Sequence, residues 1–189
     1  MGLRPARIYR AIQRAWTRTA RRKVNKAFVK GVPDSRIRSF DMGSPKWQKE
    51  GDVEVYLIPS FSCQIRHNAL EAARIACNRH MEKHVGKENY YFKVRVFPHQ
   101  VLREHAMLSG AGADRLSSGM RKAFGKPVGR AAVVKKGQKI MSIYTTKQFE
   151  KEAREALRKA GSRMPGTPKV KVEAIRKEEA GKEAAKASA

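Results

Sequence analysis

The stretch NALEAARIACNRHMEKHVG, residues 68–86, decides the fold. Leu70, Ala73, Cys77, Met81 and Val85 recur at three- and four-residue steps, the period of one helix face, with Ala69, Ala72, Ala76 and His80 beside them. Asn68 stands three residues before Glu71, the spacing of an N-cap with a reciprocal carboxylate, and Gly86 supplies the stop. The spacing predicts a helix over 68–86 whose small side chains let it lie close on a sheet. Arg74, Asn78, Arg79 and Lys83 then face outward, towards solvent or a partner.

Outward from this helix the chain reads mostly as strands. Upstream, Gly31-Val32-Pro33-Asp34 is a turn signature and Ile37 to Asp41 a short strand. Met42 to Asp52 reads as a surface loop, and Val53 to Ile58 as an alternating strand that Pro59 ends. Downstream, Tyr90 to Phe97 places Tyr90, Phe92, Val94 and Val96 on one face, with Lys93 and Arg95 on the other. Lys122 to Gly125, Arg130 to Lys135 and Lys139 to Tyr144 read as short strands separated by Pro127-Val128-Gly129 and Gly137-Gln138. Thr146 caps a second helix with Phe149, Ala153, Ala156, Leu157 and Ala160 on its apolar face, Gly161 stops it, and Val170 to Ile175 reads as a last strand. Two helices packed on a mostly antiparallel sheet make an α+β domain; the element order does not alternate regularly enough for a doubly wound sheet. The expected organisation is a basic arm over 1–30, the domain over 31–176 and a charged Lys/Glu/Ala tail over 177–189.

Charge says what this domain meets. The chain of 189 residues holds 42 Lys and Arg against 17 Asp and Glu, a net +25, with a pI near 10.6. So one-sided a surface repels itself unless a polyanion covers it, which points to nucleic acid. A membrane is excluded as a span, because no run of about 18 apolar residues exists, and as a secretory route, because no apolar segment follows the N-terminal arginines. Cys63 and Cys77 are too few for a disulfide framework, so a reducing, cytosolic setting is expected. The arm carries Arg4, Arg7, Arg10, Arg14, Arg18, Arg21, Arg22, Lys23, Lys26 and Lys30 before the first acid, Asp34. Tyr9, Trp16 and Phe28 are spaced through it, able to stack on bases, so it reads as an arm ordered by its partner rather than a plain solubilising tail.

The region 103–119 has neither helical nor strand periodicity and reads as a long loop. Loops of that length inside a compact domain tend to be functional or disordered. Function is favoured, since no carboxylate occurs from Arg115 to Phe149 while Arg115, Arg121, Lys122, Lys126 and Arg130 are all basic. Enzymatic signatures fail. Gly119 to Lys126 has five residues between its glycines, and Pro127 stands where a phosphate-binding loop needs Ser or Thr. Cys77, His80 and His84 share a helical face but lack a fourth ligand, so core packing is preferred to a metal site. Asp114 is the lone carboxylate at the loop centre, suited to pairing with Arg115 or Arg121 or to shaping the turn. No cofactor, metal or catalytic set is expected. A nucleotide-using enzyme and a DNA-packaging protein are the competing classes.

Long motifs then point further. Arg4-Pro5-Ala6-Arg7, Gly31-Val32-Pro33-Asp34 with Ile37-Arg38, residues 69–79, Val94-Arg95-Val96, residues 107–116, Gly119-Met120-Arg121 and Ala123-Phe124-Gly125-Lys126-Pro127 occur in this order. Together they resemble the large-subunit ribosomal protein family called L-ten-e in archaea and eukaryotes, the counterpart of bacterial L-sixteen. The match runs from Arg4 to about Lys171, and the tail looks like an archaeal extension. The resemblance implies a hammerhead-type α+β fold and a monomer within the cytoplasmic ribosome, touching large-subunit rRNA, A-site and P-site tRNA and neighbouring ribosomal proteins. It implies that the loop of His105, Met107, Leu108, Ser109, Gly110, Ala111, Gly112, Ala113, Asp114, Arg115 and Leu116 lies near the peptidyl transferase centre and tRNA. The expected RNA contacts are Arg4, Arg7, Arg10, Arg14, Arg18, Arg21, Arg22 and Lys23 in the arm, with Arg74, Arg79, Arg95, Arg121, Lys122, Lys126 and Arg130. A general nucleic-acid-binding protein outside the ribosome is the alternative.

Overall fold

A computed structural model describes residues 4–12, 29–105, 107, 110–116, 119–121 and 123–175. Its frame is a sheet of five strands, β1 (Asp41–Gly43), β2 (Val53–Ile58), β4 (Tyr90–Val94), β7 (Met141–Thr145) and β8 (Lys169–Ala174), in the order β1-β4-β7-β2-β8. Every neighbouring pair in it is antiparallel. A second, three-stranded sheet has β6 (Lys126–Val134) between β3 (Cys63–Arg66) and β5 (Gln100–Glu104). The α+β class therefore holds, with two sheets rather than one.

The two long helices, α2 (His67–His84) and α4 (Glu150–Gly161), pack on each other and on the first sheet. The stripe read from sequence is what they bury. Leu70, Ala73, Cys77 and Met81 of α2 and Ala153, Ala156, Leu157 and Ala160 of α4 are fully enclosed, and Val53, Val55, Leu57, Phe92 and Ile143 meet them from the strands. Alanines where the helices meet let their axes approach closely, while Leu157 alone contributes about 1.5–3 kcal/mol by leaving water.

On the sheet's other face the strand alternation delivers polar groups. Glu54 accepts hydrogen bonds from Arg95 at 2.8 Å and Lys139 at 2.8 Å, and Lys139 also reaches Glu173 of β8 at 2.9 Å. Arg95 further donates to Ser142 at 2.6 Å, so four strands or their extensions are tied by one charged network.

Several boundaries differ from expectation. The strand expected over 37–41 is extended chain that becomes β-structure only at Asp41, although Ile37 does enter the core. The expected loop after it contains β1 and a short helix, α1 (Trp47–Glu50). Helix α2 starts one residue early. Asn68 Oδ1 accepts only from the N–H of Ala69, and Glu71 pairs with Arg74 instead of closing a capping box. Thr146 ends in a backbone turn, its carbonyl accepting from Phe149, and its hydroxyl makes no cap bond. No strand forms at 123–125, where the chain turns, and the strand expected over 130–135 is part of a longer one, β6, that runs through Pro127. Pro127 is tolerated because β3 pairs only with Ala131 to Val134, so at 127 the strand has one neighbour and no ladder bond is missing on the other side. A register shift between Leu102 and Arg103 absorbs the irregularity.

Candidate nucleic-acid interface

Strands β5 and β6 form the stem from which the long loop departs, Glu104 facing Lys126 at its mouth. Three contacts fasten that mouth. The Arg103 guanidinium lies 3.3 Å from the centroid of the Phe124 ring and donates to the Phe124 carbonyl. His105 Nε2 is 2.6 Å from the Gly119 carbonyl oxygen. Gly125 has φ +71°, and a Cβ there would sit 2.7 Å from the Glu104 carbonyl carbon, so only glycine lets the two sides close.

Beyond the mouth the loop turns at Gly110 and Gly112, with φ 132° and 77°, into a single helical turn, α3 (Ala113–Leu116). Arg115, Met107, Met120, Arg121 and Phe124 are exposed. Leu108, Ser109 and Lys122 lie outside the described residues, and Asp114 and Leu116 are placed on α3 by backbone alone. A loop whose base is fastened by these contacts, and whose described residues expose Met107 and Arg115 with Met120 and Arg121 just beyond it, can reach a partner without disturbing the core.

The other expected contact residues divide by what already holds them. Arg7, Arg79 and Lys126 are exposed. Arg74 is half-buried against Glu71, whose hydrogen bond raises its pKa further, and Arg95 belongs to the Glu54 network, so both spend charge inside the protein. Arg130 donates to the Pro33 carbonyl at 2.9 Å. In the arm, Arg14, Arg18, Arg21, Arg22 and Lys23 lie outside the described residues. Residues 4–12 dock on β3: Gln64 N–H donates to the Arg10 carbonyl at 2.9 Å, its side-chain amide to Ala11 at 3.0 Å, and Arg66 to the Arg4 carbonyl at 2.9 Å. Arg10 also lies 5.5 Å from the Phe61 ring.

The candidate metal face resolves differently from its sequence spacing. Cys77 is inside the core, where burial pushes its thiol pKa up strongly. His80, His84 and Glu152 approach one another instead. His80 is already engaged on both sides, with Glu152 3.1 Å from Nε2 and the Lys159 ammonium 2.9 Å from Nδ1. An ammonium in that position opposes a second cation, and the arrangement acts as a polar rivet between α2 and α4. No helix among the described residues is long and apolar enough to cross a membrane.

Fold and surface together define a strongly basic α+β protein that presents a carboxylate-poor loop, the charge pattern of a nucleic-acid-binding protein. Comparison makes the assignment specific: residues 16–171 match the family model described as ribosomal protein L16p/L10e. Large ribosomal subunit protein uL16 of Archaeoglobus fulgidus is 47% identical over 175 residues, covering 92% of this chain and 94% of that protein. The proteins of the same name from Methanococcus aeolicus, 48% identical over 87% of this chain and 91% of theirs, and Hyperthermus butylicus, 43% identical over 94% and 97%, are similarly close. The chain belongs to the ribosomal protein L16p/L10e family and is a structural constituent of the large ribosomal subunit.

Proposed function

We propose that this protein binds large-subunit rRNA through its arm, residues 1–30, and its basic strands, and presents the 103–119 loop to A-site and P-site tRNA beside the peptidyl transferase centre. The observation that carries this reading is the fastened loop mouth. Arg103 on Phe124, His105 on Gly119 and Gly125 against Glu104 give a projecting loop a fixed origin, so its exposed Arg115, and Arg121 just beyond it, are delivered to one place. Such cations neutralise phosphate without reading sequence, and glycines and alanines around them fit between closely spaced RNA strands. The protein contributes position and charge, and the chemistry stays with RNA. No enzymatic step and no cofactor is assigned to it. It acts as a single copy in the cytoplasmic ribosome, beside neighbouring ribosomal proteins; the domain of 31–176 carries this role, and the charged tail over 177–189 lies outside the described residues.

Sedimentation of tagged protein from cells through a high-salt gradient tests the assignment. Persistence with the large subunit is expected. Release into the soluble fraction, with preference for duplex DNA over structured RNA at matched salt, would instead support a general nucleic-acid-binding role outside the ribosome.

A further inference from the structure

Between the docked 4–12 segment, the first turn of α2 and strand β6 lies a cleft of about 310 Å³. Arg4, Arg36, Arg66 and Arg130 line it, against Asp34 and Glu104. What fixes these arginines matters. Arg66 donates to the Arg4 carbonyl and Arg130 to the Pro33 carbonyl, each at 2.9 Å, so neutral acceptors orient both guanidinium groups and leave their charge in place. Asp34 is fully exposed and stands 3.9 Å from Arg130, which makes it a weak, screened counter-charge.

Two of the lining residues also carry a buried polar atom without a partner. Arg66 Nε and Tyr9 Oη are buried without a hydrogen-bond partner among the described residues, and buried donors of this kind are normally satisfied. His67 completes the set. Its Nδ1 accepts the Arg36 backbone N–H at 3.2 Å, which places the proton of the neutral ring on Nε2, beside Gly129 in the same cleft. Burial first, and then the charges of Arg36, Arg130 and Arg66, hold the His67 pKa below its ordinary value. Donors outnumber acceptors throughout, so the complement is an anion. Roughly 300 Å³ is the lower end of small-ligand pockets, enough for one nucleotide-sized group and far too small for a duplex.

We propose that this cleft seats one phosphodiester of an unpaired nucleotide of large-subunit rRNA, held by Arg36, Arg66 and the Nε2 of His67, at a site that borders the base of the long loop at Glu104 but does not include its exposed Arg115. The proposal rests on the rRNA-binding reading above. The chain's own 13–28 segment is a poor occupant, because it carries Arg14, Arg18, Arg21, Arg22, Lys23 and Lys26 and no acid.

The test measures binding of the full chain to protein-free large-subunit rRNA as a function of salt, for wild type and three folded variants. R36Q/R66Q removes the charge. G129L keeps every charge and obstructs the cleft, since a Cβ there meets His67 at 3.5 Å. R154Q removes a cation on α4 that is paired with Glu150, and serves as control. The expected result is a log–log salt slope reduced by about 0.7–0.9, the value of one phosphate, in both R36Q/R66Q and G129L but not in R154Q. Wild-type slopes and affinities in both cleft variants would overturn the proposal and leave an acidic peptide as the better complement. A reduction confined to R36Q/R66Q would also overturn it, since charge at a distance would then suffice. Wild-type protein that fails to prefer this rRNA would refute the rRNA reading itself, a result distinct from the other two.

Discussion

His105 Nε2 and the Gly119 carbonyl oxygen, fourteen positions apart in the chain, lie 2.6 Å from each other and close the mouth of the long loop. The bond lies outside the main core, so its removal is felt locally. The variant H105A should cost the domain about 0.5–1.5 kcal/mol, the net value of one hydrogen bond, in urea unfolding. Amide exchange between 103 and 126 should accelerate much more than exchange in α2.

Gly125 closes the same mouth by a different physical route. With φ +71° and backbone atoms of Glu104 within 3 Å of any Cβ, G125A meets both torsional strain and a clash. We expect it to destabilise by about 2 kcal/mol or more, exceeding H105A, because backbone cannot yield as a side-chain end can. Denaturant midpoints of the two variants in the same buffer give the order directly.

The charged network behind the sheet sets a pH dependence. Burial tends to raise the Glu54 pKa, but hydrogen bonds from Lys139 and Ser142 and the charges of Arg95 and Lys139 outweigh it and leave the group below its ordinary 4.5. Glu173 is held low as well, first by Tyr56 and then by Lys139. A carboxylate depressed in the folded state contributes stability above its unfolded pKa and loses it as pH falls through the folded one. Stability should therefore decline below pH 4.5 in wild type and decline less steeply in E54Q. At neutral pH, E54Q should cost about 1–2 kcal/mol in denaturant melts, less than breaking a fully buried pair, because water screens the partly exposed Arg95 and Lys139.

Removal of residues 1–30 should leave a folded domain, since residues 4–12 lie on β3 and outside the core cluster. The missing Gln64 bonds should cost about 1–2 kcal/mol in thermal or denaturant melts. Affinity for large-subunit rRNA should fall and its salt slope flatten by about 0.7–0.9 for each phosphate the arm had neutralised. An unchanged slope would show that the arm does not touch phosphate.

Legibility of the fold followed periodicity. The α2 stripe, the α4 stripe and strand β2 were readable because burial repeats along one element, and the residues of those stripes are enclosed in the core. Strand β3 was not readable. Cys63 to Arg66 is four residues long and runs directly into α2, so no turn residue separates strand from helix. Pro127 argued against a strand locally, and only the absence of a second neighbour at that point of β6 shows why it fits. The loop and its cations were legible as an interruption in pattern and in charge. The arginine cleft was not, because Tyr9, Arg36, Arg66 and Arg130 come from four separate segments that only the fold brings together.

Whether the loop serves tRNA while the rest of the chain anchors the protein can be decided by replacing residues 107–118 with a short Gly/Ser linker. The loop adds little to the core, and closure entropy changes only logarithmically with its length, so the domain should fold with near-normal stability and enter large subunits. Binding of A-site and P-site tRNA and the rate of peptide-bond formation should then be measured on those purified subunits. Weakened tRNA binding or slowed peptide-bond formation is expected, with a milder defect in R115A. Loop-replaced subunits that bind both tRNAs and form peptide bonds at the normal rate would contradict a role for the loop in tRNA binding.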